Sequence, residues 1–193
     1  MAERRLQLIK GLMESSQGSV LDFGCGTGYN TSYFAKSFPE RKFYGLDTDL
    51  KFIEFAKKNY ASDNVQFIND SILHLKGPFG FIYSVDVLHH VDELDAVIRK
   101  VYEILEPGST WFLIEPNILN PKVFFNQSLK KDERLFYQRK TEKKFNDAGF
   151  KIMKKGLFLL IPYQYKEPSE FLIGLESKLE RYFGGSVFYL LEK

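Results

Sequence analysis

The chain has 193 residues, 44% of them hydrophobic, and its 19 Phe and 11 Tyr suffice for one sizeable core. A formal net charge of +2 gives no whole-chain signature of nucleic-acid binding, and the single cysteine, Cys25, excludes an intrachain disulfide and a thiolate metal cluster. No apolar run is long enough to cross a bilayer, and Met1-Ala-Glu-Arg-Arg-Leu6 lacks the apolar stretch of a signal peptide, so a cytoplasmic location is expected.

In chain order, Ser19 to Phe23 reads as a first strand and Gly28 to Ser37 as a helix. Lys42 to Leu46 is a second strand, followed by a helix from Asp49 to Tyr60 on which Leu50, Ile53 and Ala56 recur at helical spacing. Val65 to Ile68 and Gly80 to Val85 are the third and fourth strands. A helix over Val91 to Leu105, closed by Pro107-Gly108, leads to a fifth strand, Trp111 to Ile114. This alternation predicts an α/β fold, a parallel sheet with helices on both faces, because parallel strands need crossover connections.

The pattern changes after Glu115. Asn120-Pro121 offers N-cap and first-turn chemistry for a short helix carrying Val123, Phe124 and Phe125, and Thr141 can cap another that ends at Gly149. Phe150 to Ile161 reads as a long strand. Ser169 to Tyr182 reads as an amphipathic helix with Phe171, Leu175, Leu179 and Tyr182 on one stripe. A Gly184-Gly185 turn leads to a last strand, Val187 to Leu191, and two consecutive strands here imply an antiparallel element at one sheet edge. Charge is uneven: Pro121 to Lys155 holds 11 Lys or Arg against 4 acids, and Met1 to Asn120 holds 12 against 16. That stretch is either a solvated helical surface or a field that attracts an anionic substrate or a membrane headgroup.

The chemistry concentrates in Val20-Leu-Asp-Phe-Gly-Cys-Gly-Thr-Gly-Tyr-Asn30. Gly24, Gly26 and Gly28 follow a hydrophobic strand and open a helix, where glycine permits a tight turn and close approach of a ligand to the backbone. Asp47, at the end of the second strand, can accept hydrogen bonds from both hydroxyls of a ribose. Loop and acid together point to an adenosine-type ligand. Dinucleotide binders use Gly-x-Gly-x-x-Gly, and the third glycine here falls one residue early.

Asp22-Phe-Gly-Cys-Gly-Thr-Gly28 resembles the first motif of class I S-adenosylmethionine-dependent methyltransferases, and later segments match that family in order. Asp47 resembles its ribose-binding acid, with Thr48 beside the adenine. Asn69-Asp70-Ser71 resembles the pair that reads the adenine, and Ser84-Val85-Asp86-Val-Leu-His89-His90 the segment passing the methionine end. Leu105-Glu-Pro-Gly108 with Phe112 to Asn117 resembles the turn and fifth strand, and Ala148-Gly149-Phe150 the opening of the sixth. The resemblance implies S-adenosylmethionine as cofactor, S-adenosylhomocysteine as product, and a Rossmann-like doubly wound sheet of seven strands, order 3-2-1-4-5-7-6, with strand seven antiparallel. It implies a single domain over 1–193: a cofactor-binding core over 1–117, an acceptor-covering insertion over 118–149, and C-terminal strands with an amphipathic helix over 150–193. Cofactor contacts then fall to Asp22, Gly24, the backbone beside Cys25, Gly26, Gly28, the Tyr29–Asn30 pair, Asp47, Thr48, Asp70, Ser71, Ser84 and Val85. The match is to the small-molecule branch that includes ubiquinone- and menaquinone-pathway enzymes. Asp86, His89 and His90 stand where ubiquinone-type enzymes often read Glu-x-x-Glu-His, and no metal ligand set is expected. No Asn-Pro-Pro-Tyr-like tetrapeptide follows the fourth strand, which disfavours a nucleic-acid acceptor.

Methyl transfer from a sulfonium needs alignment and exclusion of water, plus a base where the acceptor is an alcohol, a phenol or an acidic carbon. O-methylation of a small molecule is the favoured reading. His89 or His90 is the candidate base, at most one of the two facing the acceptor, and Glu115 is a further candidate. His74 and Cys25 read as a loop residue and a packing residue. The residues before the first strand are too few for a large N-terminal lid, so cover is expected between the fifth and sixth strands. There Val123, Phe124, Phe125 and Leu135-Phe-Tyr137, among Lys130, Lys131, Arg134 and Arg139, either wall an apolar pocket, with one of the basic residues, best an arginine, pairing an anionic acceptor, or pack onto the sheet while the charges face solvent. Two other function classes stand beside the enzyme: a catalytically silent cofactor-binding subunit and a nucleotide-dependent oxidoreductase.

Overall fold

The computed structural model describes residues 2–130, 134–158 and 184–193. A sheet of seven strands runs through it: β1 (Val20–Phe23), β2 (Phe43–Asp47), β3 (Val65–Asn69), β4 (Phe79–Val85), β5 (Leu105–Pro116), β6 (Lys151–Phe158) and β7 (Ser186–Glu192). Their order is β3-β2-β1-β4-β5-β7-β6, with β1 to β5 parallel and β7 antiparallel to both neighbours. This is the expected doubly wound order. Central strands β1 and β4 are buried nearly throughout, as two-sided cover demands, whereas β7 alternates buried and half-buried residues.

Six helices flank the sheet among the described residues: α1 (Ala2–Glu14), α2 (Tyr29–Ser37), α3 (Leu50–Tyr60), α4 (Leu94–Ile104), α5 (Pro121–Ser128) and α6 (Gln138–Asp147). Local chemistry sets several starts. The Asp49 side chain accepts from the N–H of Lys51, and that of Asn120 accepts from the N–H groups of Lys122 and Val123, with Pro121 in the first turn. On one face, α1 and α2 pack Leu6, Ile9, Met13 and Phe34 with Phe81, Tyr83 and Phe112. On the other, Val97, Ile98 and Val101 of α4 and Phe145 of α6 pack with Leu21, Ile82 and Trp111.

Three details differ from the sequence reading. The N-terminal segment is the helix α1, because Leu6, Ile9 and Met13 recur on one stripe and are buried against the sheet. Leu105 to Gly108 belongs to β5, with Leu105 opposite Phe79 and the register shifting before Phe81, so α4 stops at Ile104. Thr141 does not cap α6: the helix begins at Gln138, and the Thr141 hydroxyl donates back to the carbonyl of Tyr137. The sixth strand is described as far as Phe158, and the predicted helix over 169–182 lies outside the described residues.

If α1 is part of this core, Met13→Ala, at a site only 1% exposed, should lower the unfolding free energy by about 2–5 kcal/mol in urea titration.

Candidate active site

The carboxyl ends of β1, β2, β3 and β4 open on one edge, where ligands bind in such sheets. The loop from β1 to α2 is pinned there by N–H groups of Gly24 and Cys25, both donating to Leu46 O at 2.8 and 3.0 Å. Its glycines have separate duties. A Cβ on Gly24 would lie 2.4 Å from a Val87 methyl, and one on Gly28 2.7 Å from Ala56, so both are required by packing. A Cβ on Gly26 would meet nothing within 4 Å, and this residue borders a cleft of about 610 Å³. Gly26 is therefore where the loop leaves its backbone open to the cleft.

Asp47, Thr48, Asp70 and Ser71 border the same cleft, as do Gly24 and the unanticipated Phe52. The Asp47 carboxylate accepts from Gly26 N at 2.8 Å through one oxygen and from Asp49 N at 2.9 Å through the other, tying β2 to the loop. Asn69 donates to the carbonyls of Asp47 and Thr48, which fixes that rim. Asp70 accepts from Ser71 N at 2.7 Å and is paired with His74 Nδ1 at 2.8 Å, which holds its carboxyl below the usual range. His74, read as an ordinary loop residue, thus orients a wall residue.

The remaining expected cofactor residues stand behind or beside this wall. Asp22 is buried and accepts from the Thr31 hydroxyl at 2.6 Å. Burial pushes its carboxyl up to about 6, with the nearby Asp47 charge adding and the Thr31 bond offsetting part. Burial, then the charges of Asp22 and Asp47, push the Cys25 thiol far up, so it is no nucleophile at neutral pH. Ser84 is turned into the core, where its hydroxyl accepts from Trp111 Nε1 at 3.1 Å, and Val85 packs on the α1 side. Tyr29 is exposed and meets Tyr60 edge-on at 6.3 Å, and neither it nor Asn30 borders the cleft. Ser84, Val85, Tyr29 and Asn30, expected at the cofactor, thus do not border this cleft.

Asp86, directly after β4, has φ 57°, a left-handed conformation costly for a non-glycine residue. Its carboxylate accepts from Arg5 Nη1 at 2.9 Å, and Arg5 also donates to the Ser186 hydroxyl at 3.2 Å. The following turn is held by Glu115, which is wholly buried. It accepts from Val87 N (3.0 Å), Leu88 N (2.7 Å) and His89 N (3.3 Å), and pairs with His89 Nδ1 at 2.8 Å. Glu115, expected as a further candidate base, is so engaged with this turn and borders neither cavity. A second cavity of about 360 Å³ lies beyond this turn, bordered by Arg5, His89, Val123, Gln127, Lys130 and Ser186. Asp86 and His90 border both cavities. The rings of His89 and His90 are 4.1 Å apart. Gln127 is 4% exposed, and neither of its amide atoms has a hydrogen-bond partner.

Several cations of the basic stretch are ion-paired. Arg134 bonds Asp92, Lys144 bonds Asp95, Lys143 bonds Asp147 and Lys155 bonds Glu142. Phe136 is in the core, and neither Arg134 nor Arg139 borders either of these two cavities. Among the expected wall residues, Val123 and Lys130 border the second cavity, joined by Arg5 from α1, which sequence reasoning missed. Among the described residues no group of three or more His, Cys, Asp or Glu could hold a metal ion, and no helix is long and apolar enough to cross a membrane.

Residues 1–154 match the family model described as a methyltransferase domain. A malonyl-[acyl-carrier protein] O-methyltransferase of Priestia megaterium is 32% identical over 94 residues, covering 48% of this chain and 34% of that protein. The chain spans about a third of the length of such curated relatives. Among solved structures, a chain of the complex between a Haloferax volcanii methyltransferase activator and its candidate methyltransferase superposes with TM-score 0.75 at 15% identity, covering 100% of this chain and 91% of that one. The magnesium protoporphyrin IX methyltransferase of Synechocystis with bound SAH gives TM-score 0.69 at 16% identity, covering 100% and 83%.

The Asp22 carboxyl yields a pH test. Its folded value near 6 exceeds the ordinary 3.8, so its contribution to stability is fully present below the latter and lost as pH rises through the former. Asp22→Asn should therefore gain up to about 3 kcal/mol on the native protein between about pH 4 and about pH 8, read from paired denaturant titrations.

Proposed function

The chain belongs to the methyltransferase-domain family, and from that premise we propose that it transfers the methyl group of S-adenosylmethionine to an oxygen of a small acceptor held in the second cavity. The observation that carries this reading is the shared wall: Asp86 and His90 border both the cleft at the glycine loop and the neighbouring cavity. Two ligands could therefore meet across one short segment. The cleft's residues suit the cofactor. Gly26 leaves open space at the backbone, Asp47 stands where ribose hydroxyls can donate, and Asp70 with Ser71 closes the far side.

Bound there, S-adenosylmethionine supplies an electrophilic methyl group that needs no further activation. The chain's own work is orientation and proton handling. Asp47, Asp70 and Asp86 give the cleft a negative lining suited to a cationic ligand. Glu115 fixes the turn after β4 and, by accepting a hydrogen bond from Nδ1–H of His89, sets that ring's tautomer and direction. His90, exposed and common to both cavities, is the residue that can take a proton from an acceptor hydroxyl. Gln127, buried with an unpartnered amide at the second cavity, supports an acceptor bearing a polar group there. The resemblance of the first relative, an O-methyltransferase, supports oxygen as the acceptor atom.

Calorimetry with S-adenosylhomocysteine tests the cofactor site. Asp47→Ala should weaken binding by about 1.5–3 kcal/mol, and Gly26→Val should abolish it. Unchanged affinity in folded variants overturns the assignment. Turnover of radiolabelled S-adenosylmethionine by the isolated chain, against a panel of hydroxy and carboxy acceptors, separates an enzyme from a silent cofactor-binding subunit. With an acceptor in hand, His90→Gln should lower kcat by about a hundredfold or more while retaining cofactor affinity, if His90 is the base.

A further inference from the structure

Helix α5 is turned inside out. Val123 and Gln127 border the second cavity, as do Asn126 and, just past the helix, Lys130, so the inward side carries one apolar residue and amide groups. The outward side carries Phe124, Phe125 and Leu129, at 46%, 62% and 68% exposure, and Leu119 just before the helix is 73% exposed. A globular helix buries its apolar stripe and solvates its polar one, so this reversal needs a cover. The same region is cationic. Lys122 lies one turn before Phe125, on the side of the stripe. Asn117 binds Gln138 at 2.6 Å, which brings the first turn of α6 alongside, with exposed Tyr137 beneath the ammonium of Lys140.

We propose that this surface is a membrane-docking face: α5 lies in the headgroup region of an anionic bilayer, with Phe125 and Leu129 inserted and Lys122 and Lys140 at phosphate level. Apolar aromatic and leucine side chains flanked by lysines have the composition that partitions to such an interface, and the basic excess over 121–155 supplies the attraction. Snorkelling lysine stems add apolar cover without burying their charge. Because α5 also walls the second cavity, docking presents that cavity to the lipid surface, and its acceptor is then an amphiphile drawn from the bilayer; this last step rests on the methyl-transfer reading.

The test is cosedimentation of the full chain with vesicles of phosphatidylcholine alone or with one third phosphatidylglycerol, at low and high salt. Binding to the anionic vesicles, weakened by salt and lowered about tenfold or more in Phe125→Ser/Leu129→Ser and in Lys122→Glu, is the expected result. Absence of binding to anionic vesicles, or binding unaltered in both variants, overturns the proposal. So does lipid-free self-association that the double variant abolishes, since a second copy would then be the cover. S-adenosylhomocysteine calorimetry on the same variants without vesicles confirms folding and keeps the two readings apart: loss of docking with intact cofactor binding concerns this surface alone.

Discussion

Glu115 is wholly buried, and its carboxylate receives three backbone N–H groups and the ring of His89. A charge taken out of water this completely is tolerable only when such donors replace hydration. Here the donors all belong to one turn, residues 87–89. Asp86 enters that turn in a left-handed conformation, and the Ile114 carbonyl accepts its N–H at 2.8 Å, so strain at one residue is offset by bonds at its neighbours. The turn defines where the two cavities meet.

The glycine loop depends on the same turn. The Cβ that Gly24 lacks would fall on Val87, so Val87 packs into the space the glycine leaves. Asp47 bonds Gly26 from the other side. The loop is thus clamped between the end of β2 and the segment after β4, and an altered Glu115 would reach the loop through Val87. Carboxylates surround this assembly: Asp22 behind the loop, and Asp47, Asp70 and Asp86 at the cleft. Each has a named donor, from Thr31, Gly26, His74 and Arg5 respectively. Burial raises the one that is enclosed, Asp22, while Asp70, at the surface, is held low.

Much of this was legible in the sequence because it is local. Strand, glycine turn and helix are consecutive between Val20 and Ser37, and the alternation that follows restricts the sheet to few topologies. The cap residues Asp49 and Asn120 are likewise readable from neighbours. What escaped depends on distant partners. Nothing near Ser84 says that Trp111 will claim its hydroxyl, and nothing near Glu115 says that its carboxylate serves the turn after β4 and not an acceptor. Arg5 meets Asp86 across 81 positions. The helix α1 did carry a signal, Leu6, Ile9 and Met13 at helical spacing, which attention to the first strand passed over. Thr141 shows the converse: a residue with capping chemistry placed one turn inside a helix spends it on the carbonyl behind.

The two cavities are built from different parts of the chain, and this bears on how specificity can vary. The cleft at the glycine loop is framed by β1 to β4 and their connections, the part most constrained by parallel pairing. The second cavity takes its own wall from α1, α5 and the start of β7, all outside that framework, through Arg5, Val123, Gln127 and Ser186. Only the turn held by Glu115 is common to both. Substitutions on α1 or α5 can therefore reshape the second cavity while the loop, Asp47 and Asp70 stay as they are. Substitutions in the turn cannot be so confined, because Asp86 and His90 belong to both walls.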